Sequence, residues 1–186
     1  VELGEHLAAF TRDKFKTYQN FHLVNADFET YDFGEQKFDL VYSATTIQWI
    51  PEAIGFTRAF ELLKSGGTFA MMMMQGDYRS SNEALYQRIQ AVYTEYFHPE
   101  TPYTQKLEYS NVVNYGFTDL ECRKYQSRRV FNADDYIAFI GTHCDHIVLK
   151  EPDRSKFFAG IREAILAFGN KIEFEDTIVL YLARKP

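Results

Sequence analysis

The sequence predicts an α/β fold: a mostly parallel sheet wrapped by helices, with an antiparallel last strand. Three observations predict it. Segments of strand length and helical segments alternate with short links through the first 74 residues. Thr68–Met74 is a continuous run of the kind found in strands covered on both faces, as parallel sheets have. Near the C-terminus, residues 117 to 130 alternate between two faces, whereas Ile178-Val179-Leu180-Tyr181-Leu182 is apolar on both parities. A hairpin-like pair, with the last strand inserted inward and the earlier one left at the edge, accounts for both patterns.

The elements follow in order. Val1-Glu2-Leu3-Gly4 reads as the last turn of a strand that ends on Glu2. Residues 5 to 18 predict a helix with Leu7, Phe10, Phe15 and Tyr18 on one face. Phe21–Val24 is a short run of strand length, and Lys37–Ser43 is a second strand. Phe56, Ala59, Phe60 and Leu63 recur at amphipathic-helix spacing, and Ser65-Gly66-Gly67 ends that helix. Leu85, Ile89, Val92, Tyr93 and Tyr96 mark a helix from Ser81 to Phe97, followed by a polar loop and a short helix reaching Tyr115. In the edge strand, Leu120 and Cys122 face one side, while Glu121, Arg123 and Arg129 face the other. Asn132 with Asp134 and Asp135 predicts a capped helix start. Phe158, Ile161, Ile165 and Phe168 define the last helix, before a final strand from Ile172 to Ala183. There is no repeat or low-complexity linker, so residues 1–186 read as one domain, with 78–116 a helical insertion or cap over the sheet's C-terminal edge.

A chain of 186 residues can bury one sizeable core, and its 17 Phe and 13 Tyr supply much of the apolar area. The net charge of -6 argues against a nucleic-acid or anionic-membrane partner, because phosphates are neutralised by a surplus of Lys and Arg. Arg123-Lys124 and Arg128-Arg129 form a local basic stretch, read as the solvated face of a strand. Cys122 and Cys144 make neither a disulfide framework nor a cysteine zinc site. No metal is therefore expected, and a reducing, cytoplasmic setting is the simplest inference. No stretch approaches the roughly 18 apolar residues of a membrane span, and no signal peptide is visible.

Ligands of open α/β sheets sit beyond the carboxyl ends of the strands. Four positions stand out there: Glu2, Asp27-Phe28, Ser43-Ala44-Thr45-Thr46, and Gln75-Gly76-Asp77. An acid after a strand of a nucleotide-binding half can accept from ribose hydroxyls. An acid followed by an aromatic can accept from an adenine amino group while the ring lies against the base.

The run A-D-F-E-T-Y-D-F-G-E-Q-K-F-D-L-V-Y-S-A-T-T-I-Q-W-I-P, followed by L-L-K-S-G-G-T-F-A-M, resembles the class I S-adenosylmethionine-dependent methyltransferases. Within them it is similar to the small-molecule, methyltransferase type 11-like branch, over Val1 to about Met74. The resemblance implies a Rossmann-like fold and methyl transfer from S-adenosylmethionine to a small-molecule acceptor. It makes Glu2 the ribose-binding acid and Asp27 the acid near the adenine amino group, with Phe28 supplying a backbone amide and an apolar contact. Ser43 and Ala44 correspond to the backbone facing the methionine moiety. Thr46, Gln48 and Trp49 lie where the branch lines the entrance between cofactor and acceptor. Many relatives carry His where this chain has Gln48, and an amide cannot take a proton near neutral pH. The family also places a first strand and a glycine-rich loop about 20 residues before the ribose acid, so both are expected to precede Val1 and to be missing from this chain.

Methyl transfer from a sulfonium needs mainly in-line alignment, and a base only where the acceptor must lose a proton. His98, His143 and His146 are the candidate bases, and no catalytic residue is assigned. Tyr86, Tyr93, Tyr96, Tyr103, Tyr109 and Tyr115 are available to line an acceptor pocket. Two other readings remain: a methyltransferase-like partner subunit without catalysis, and an NAD-dependent oxidoreductase. The latter also uses an acid after its second strand, but Asp27-Phe28 followed by S-A-T-T-I-Q-W-I fits it poorly. The acceptor, the methylated atom and the oligomeric state are not encoded in any motif.

Overall fold

The computed structural model describes residues 1–98 and 107–186, so the expectations that fall on 99–106, Tyr103 among them, lie outside the described residues. Helix α1 (Glu5–Lys14) comes first, then β1 (Phe38–Ala44), a 3-10 turn (Ile47–Trp49), α2 (Glu52–Leu62) and β2 (Leu63–Asp77). Helix α3 (Glu83–Tyr96), a 3-10 helix (Tyr109–Tyr115) and β3 (Thr118–Phe131) follow. The chain ends with α4 (Ala133–Ile140), α5 (Cys144–Ile147), α6 (Asp153–Ala167) and β4 (Ile172–Arg184).

The strands form one sheet in the order β1-β2-β4-β3. The last strand thus lies inside, and β3 takes the edge, as their periodicities predict. The Gly66 amide donates to the Lys185 carbonyl at 2.8 Å, and Gly76 lies against Asp176 at the other end. Strands β2 and β4 therefore run in opposite senses.

The fold divides into two compact units. The first comprises residues 1–71, 107–121 and 181–186. Its core is aromatic: Phe69 meets Phe56 edge-on with ring centroids 6.2 Å apart and Phe117 at 5.6 Å, and Phe56 meets Tyr115 at 5.3 Å. The second comprises the described residues of 72–106 and 122–180. There α3 and α4 pack on α6, burying Leu85, Ile89, Tyr136, Ile140, Phe157 and Ile161. Gly160 permits the closest approach, since a Cβ there would lie 3.0 Å from Val92. Asn132 caps α4 by accepting from the Asp135 amide at 2.8 Å, as its sequence position predicts.

Several expectations are corrected. The first helix ends at Lys14 and buries only Ala8, while Leu7 and Phe10 are exposed. Phe15 and Tyr18 lie beyond it, in a turn where Phe15 contacts Phe21 at 4.9 Å. Phe21–Val24 does not form a strand: pairing stops at a single parallel bridge between Glu2 and Asn25, because Gly4 already caps α1. Ser65-Gly66-Gly67 does not end α2. Leu63 turns extended and starts β2, and the two glycines pair with the C-terminal segment through Lys185. On α6 the buried face is Phe157, Ile161, Ala164 and Ile165, with Phe158 at its flank and Phe168 past the helix end. Arg129 is only partly exposed. Its guanidinium pairs with the buried Asp176 and lies over the rings of Phe131, Phe139 and Phe174.

Candidate functional site

The site is built where β1 ends, in the first unit. Thr45 adopts the left-handed conformation (φ 54°), which is costly for a β-branched residue. Local bonds hold it there. The Ser43 hydroxyl accepts from the Ile47 amide at 2.9 Å and so caps the 3-10 turn, and the Thr46 hydroxyl donates to the Ala44 carbonyl at 3.0 Å. Both side chains are used to shape the turn, which leaves the Ser43–Ala44 backbone as the surface presented beside it.

A cleft of about 470 Å³ opens there, a size suited to a small organic ligand. Phe28, Ser43, Ala44 and Thr46 line it, with Val1, Leu40 and Phe33. Glu2 faces a neighbouring hollow, lined by Phe15, Tyr18 and Phe21; Val1 and Tyr42 line both. Glu2 is held by its bridge to Asn25, and its Oε1 accepts from the Gly4 amide at 2.7 Å. Asp27 is exposed beside Phe28. Its Oδ1 accepts from the Glu29 amide at 2.8 Å, and its carbonyl accepts from Tyr31 at 2.9 Å, so residues 27–31 form a self-bonded turn.

Two residues absent from the sequence-based site organise this region. Arg58, on α2, donates to the Tyr31 carbonyl and lies over the rings of Phe28 (5.5 Å) and Phe33 (5.8 Å). Its buried Nε has no hydrogen-bond partner among the described residues. Glu52, at the start of α2, accepts from Asn111 Nδ2 at 3.0 Å and from the Tyr115 hydroxyl at 3.1 Å. Burial, and then the Glu52 carboxylate, push the Tyr115 phenol above its ordinary pKa. The same 3-10 helix carries Tyr109, whose hydroxyl donates to Gln48 at 3.5 Å and whose ring stacks on Tyr181 at 5.1 Å. Trp49 is half-exposed, and neither it nor Gln48 nor Asp27 lines the cleft.

The candidate bases lie in the second unit. His98 is exposed. His146 is buried between the Tyr93 hydroxyl and the Asp145 carboxylate, and burial pushes the neighbouring His143 down. Gln75-Gly76-Asp77 ends β2, where Asp77 Oδ1 accepts from the Arg79 amide at 2.8 Å.

The profile of the methyltransferase-domain family matches residues 1–71, the stretch that holds every residue of the cleft. The match covers 71 of the 186 residues, and the fold is the Rossmann-like one of the methyltransferase structures on which the chain superposes. Class I methyltransferases use S-adenosylmethionine as methyl donor. A Bacillus halodurans protein assigned as a methyltransferase superposes on all of this chain and 81% of its own, with TM-score 0.57 and 18% identity. The YcgJ protein of Bacillus subtilis superposes on 98% of this chain and 80% of its own, with TM-score 0.56 and 13% identity. A protein of Anaeromyxobacter dehalogenans, assigned as a type II methyltransferase, covers 81% of this chain with 66% of its own, at TM-score 0.50 and 14% identity. Among curated proteins, no sequence matches significantly. Among the described residues, no helix is long and apolar enough to cross a membrane.

Proposed function

We propose that this chain is a class I methyltransferase that binds S-adenosylmethionine at the end of β1 and methylates a small-molecule acceptor. The observation that carries the reading is the convergence of Phe28, Ser43, Ala44 and Thr46 on one cleft of ligand size, with Glu2 on the neighbouring hollow and Asp27 next to Phe28 in the chain. When bound, S-adenosylmethionine supplies an electrophilic methyl group. In this reading Glu2 accepts from the ribose hydroxyls, for which a carboxylate with one oxygen on Gly4 keeps acceptor capacity. Asp27 accepts from the adenine amino group, and Phe28 offers its ring, fixed from behind by Arg58. The Ser43–Ala44 backbone faces the methionine part, and the left-handed Thr45 turns the chain away to make room. Thr46, Gln48 and Trp49 border the acceptor entrance, and the protein acts by alignment rather than by an assigned base.

Residues 1–186 are taken as one methyltransferase domain, with 78–116 as its insertion. The acidic chain and its two free, exposed cysteines fit a cytoplasmic enzyme with neither nucleic-acid nor membrane partner. Calorimetric titration with S-adenosylhomocysteine tests the proposal. Saturable binding at one site per chain is expected. Absence of binding overturns it in favour of a methyltransferase-like partner without catalysis, and quenching of added NADH points to the oxidoreductase.

A further inference from the structure

We propose that His143, Asp145 and His146 of the second unit form a site for a divalent transition-metal ion of the zinc class, with Tyr93 orienting His146. The three residues come from one short stretch of chain, and each offers a ligand atom within 4.8 Å of the others. Metal bonds of about 2.0–2.2 Å in a tetrahedral array place ligand atoms roughly 3.3 Å apart. His143 and Asp145 are only partly buried, which leaves their side chains room to turn toward that spacing, His143 moving in and the Asp145 oxygen moving off its 2.6 Å contact with His146 Nδ1. The intervening Cys144 is exposed and outside the group.

The donor set selects the ion. Two imidazole nitrogens and one carboxylate suit zinc, nickel or copper, whereas magnesium and calcium take oxygen ligands. The surroundings select the tautomer. His146 is 4% exposed, with Nδ1 2.6 Å from Asp145 Oδ1 and Nε2 2.8 Å from the Tyr93 hydroxyl. Nδ1 therefore points toward the carboxylate that would share the ion. Without the ion, Nδ1–H donates to that carboxylate and Nε2 accepts from the Tyr93 hydroxyl. An ion on Nδ1 displaces that proton, after which Nε2–H donates to Tyr93, the outer hydrogen bond that metal-bound histidines use to fix their ring. A shell of Phe97, Phe139 and Phe157 rings, with centroids 4.8 to 5.3 Å from the two imidazoles, limits water and strengthens charge interactions inside it. Three protein ligands leave a fourth position for water or another small ligand. The sequence expectation of no metal rests on the cysteines, and this site uses neither.

The test is titration of chelator-treated protein with zinc chloride by calorimetry and with cobalt(II) by visible absorption. One ion per chain is expected, with cobalt bands of a mixed nitrogen–oxygen site. His143→Ala and the near-isosteric Asp145→Asn should each weaken zinc binding by at least about tenfold, and Tyr93→Phe by about 10- to 100-fold. His22→Ala, at an exposed histidine of the first unit, should leave it unchanged. Because His143 is only half-buried, its alanine variant is expected to keep the fold, and Asp145→Asn serves where it does not. No stoichiometric binding by the unaltered protein, or equal binding by it and both ligand variants, overturns the site. Neither result bears on S-adenosylhomocysteine binding in the first unit.

Discussion

Arg58 shows what one side chain contributes to the candidate site. It donates to the Tyr31 carbonyl and rests on Phe28 and Phe33, so a single cation fastens the 27–33 loop to α2. Arg58→Ala should cost about 1–3 kcal/mol of stability, from one charge-assisted hydrogen bond and the lost ring contacts. Urea denaturation measures the loss, and amide exchange should rise over residues 27–33. Arg58→Lys should recover only part of it, because an ammonium lacks the planar fork. Asp27→Ala acts on the ligand instead, and should weaken S-adenosylhomocysteine by about 1–3 kcal/mol in calorimetry. Unchanged affinity removes Asp27 from the site. The places of Ser43 and Phe28 beside the cleft were legible, Ser43 because the end of a strand restricts where a residue can point. Glu2 and Asp27 instead sit at a single bridge and in a self-bonded turn, rather than at the strand ends their pattern predicts. Arg58 was not, since an arginine on a helix reads as a solvated charge until its partners from a distant loop are known.

At the scale of elements, the 3-10 helix Tyr109–Tyr115 depends on one acid of α2. Glu52 accepts from both Asn111 and Tyr115. Glu52→Ala leaves two half-buried donors without their acceptor and should cost about 2 kcal/mol, with faster amide exchange confined to residues 109–115. In the same variant the Tyr115 phenol should titrate at lower pH, though still above an ordinary tyrosine, because burial is the larger cause of its shift. Ultraviolet titration against a Tyr115→Phe control reads this directly. A second dependence joins β3 to β4. Asp176 is 1% exposed and its carboxylate is satisfied by Arg129, so Arg129→Ala strands a buried charge and should cost about 3 kcal/mol in urea denaturation. The strand order was legible, because alternation marks β3 as an edge and continuous apolarity marks β4 as internal. The ion pair was not, because the period-2 pattern assigns Arg129 to a polar face without showing that an acid lies opposite.

For the molecule as a whole, periodicity identifies which residues are apolar but not which of them are covered. Leu7 and Phe10 follow helical spacing and remain exposed, as do Tyr18 on the turn after α1 and Tyr42 on β1. In the first unit Phe15, Tyr18, Phe21 and Tyr42 surround a hollow of about 710 Å³. These rings, set among Glu2, Thr11, Gln19 and Asn20, offer a local apolar surface to apolar solutes without any unfolding. The folded protein should therefore enhance the fluorescence of anilinonaphthalene sulfonate. Tyr18→Ser combined with Tyr42→Ser should remove about half of that enhancement. The same pair should change the folding free energy by no more than about 0.5 kcal/mol per site, the range usual for surface positions. Both measurements are needed. A dye signal that falls together with stability reports loosening of the fold, whereas a fall at constant stability places the dye in the hollow. If the signal is unchanged in the double variant, these rings do not form a binding surface, and the exposed side chains of this unit act separately.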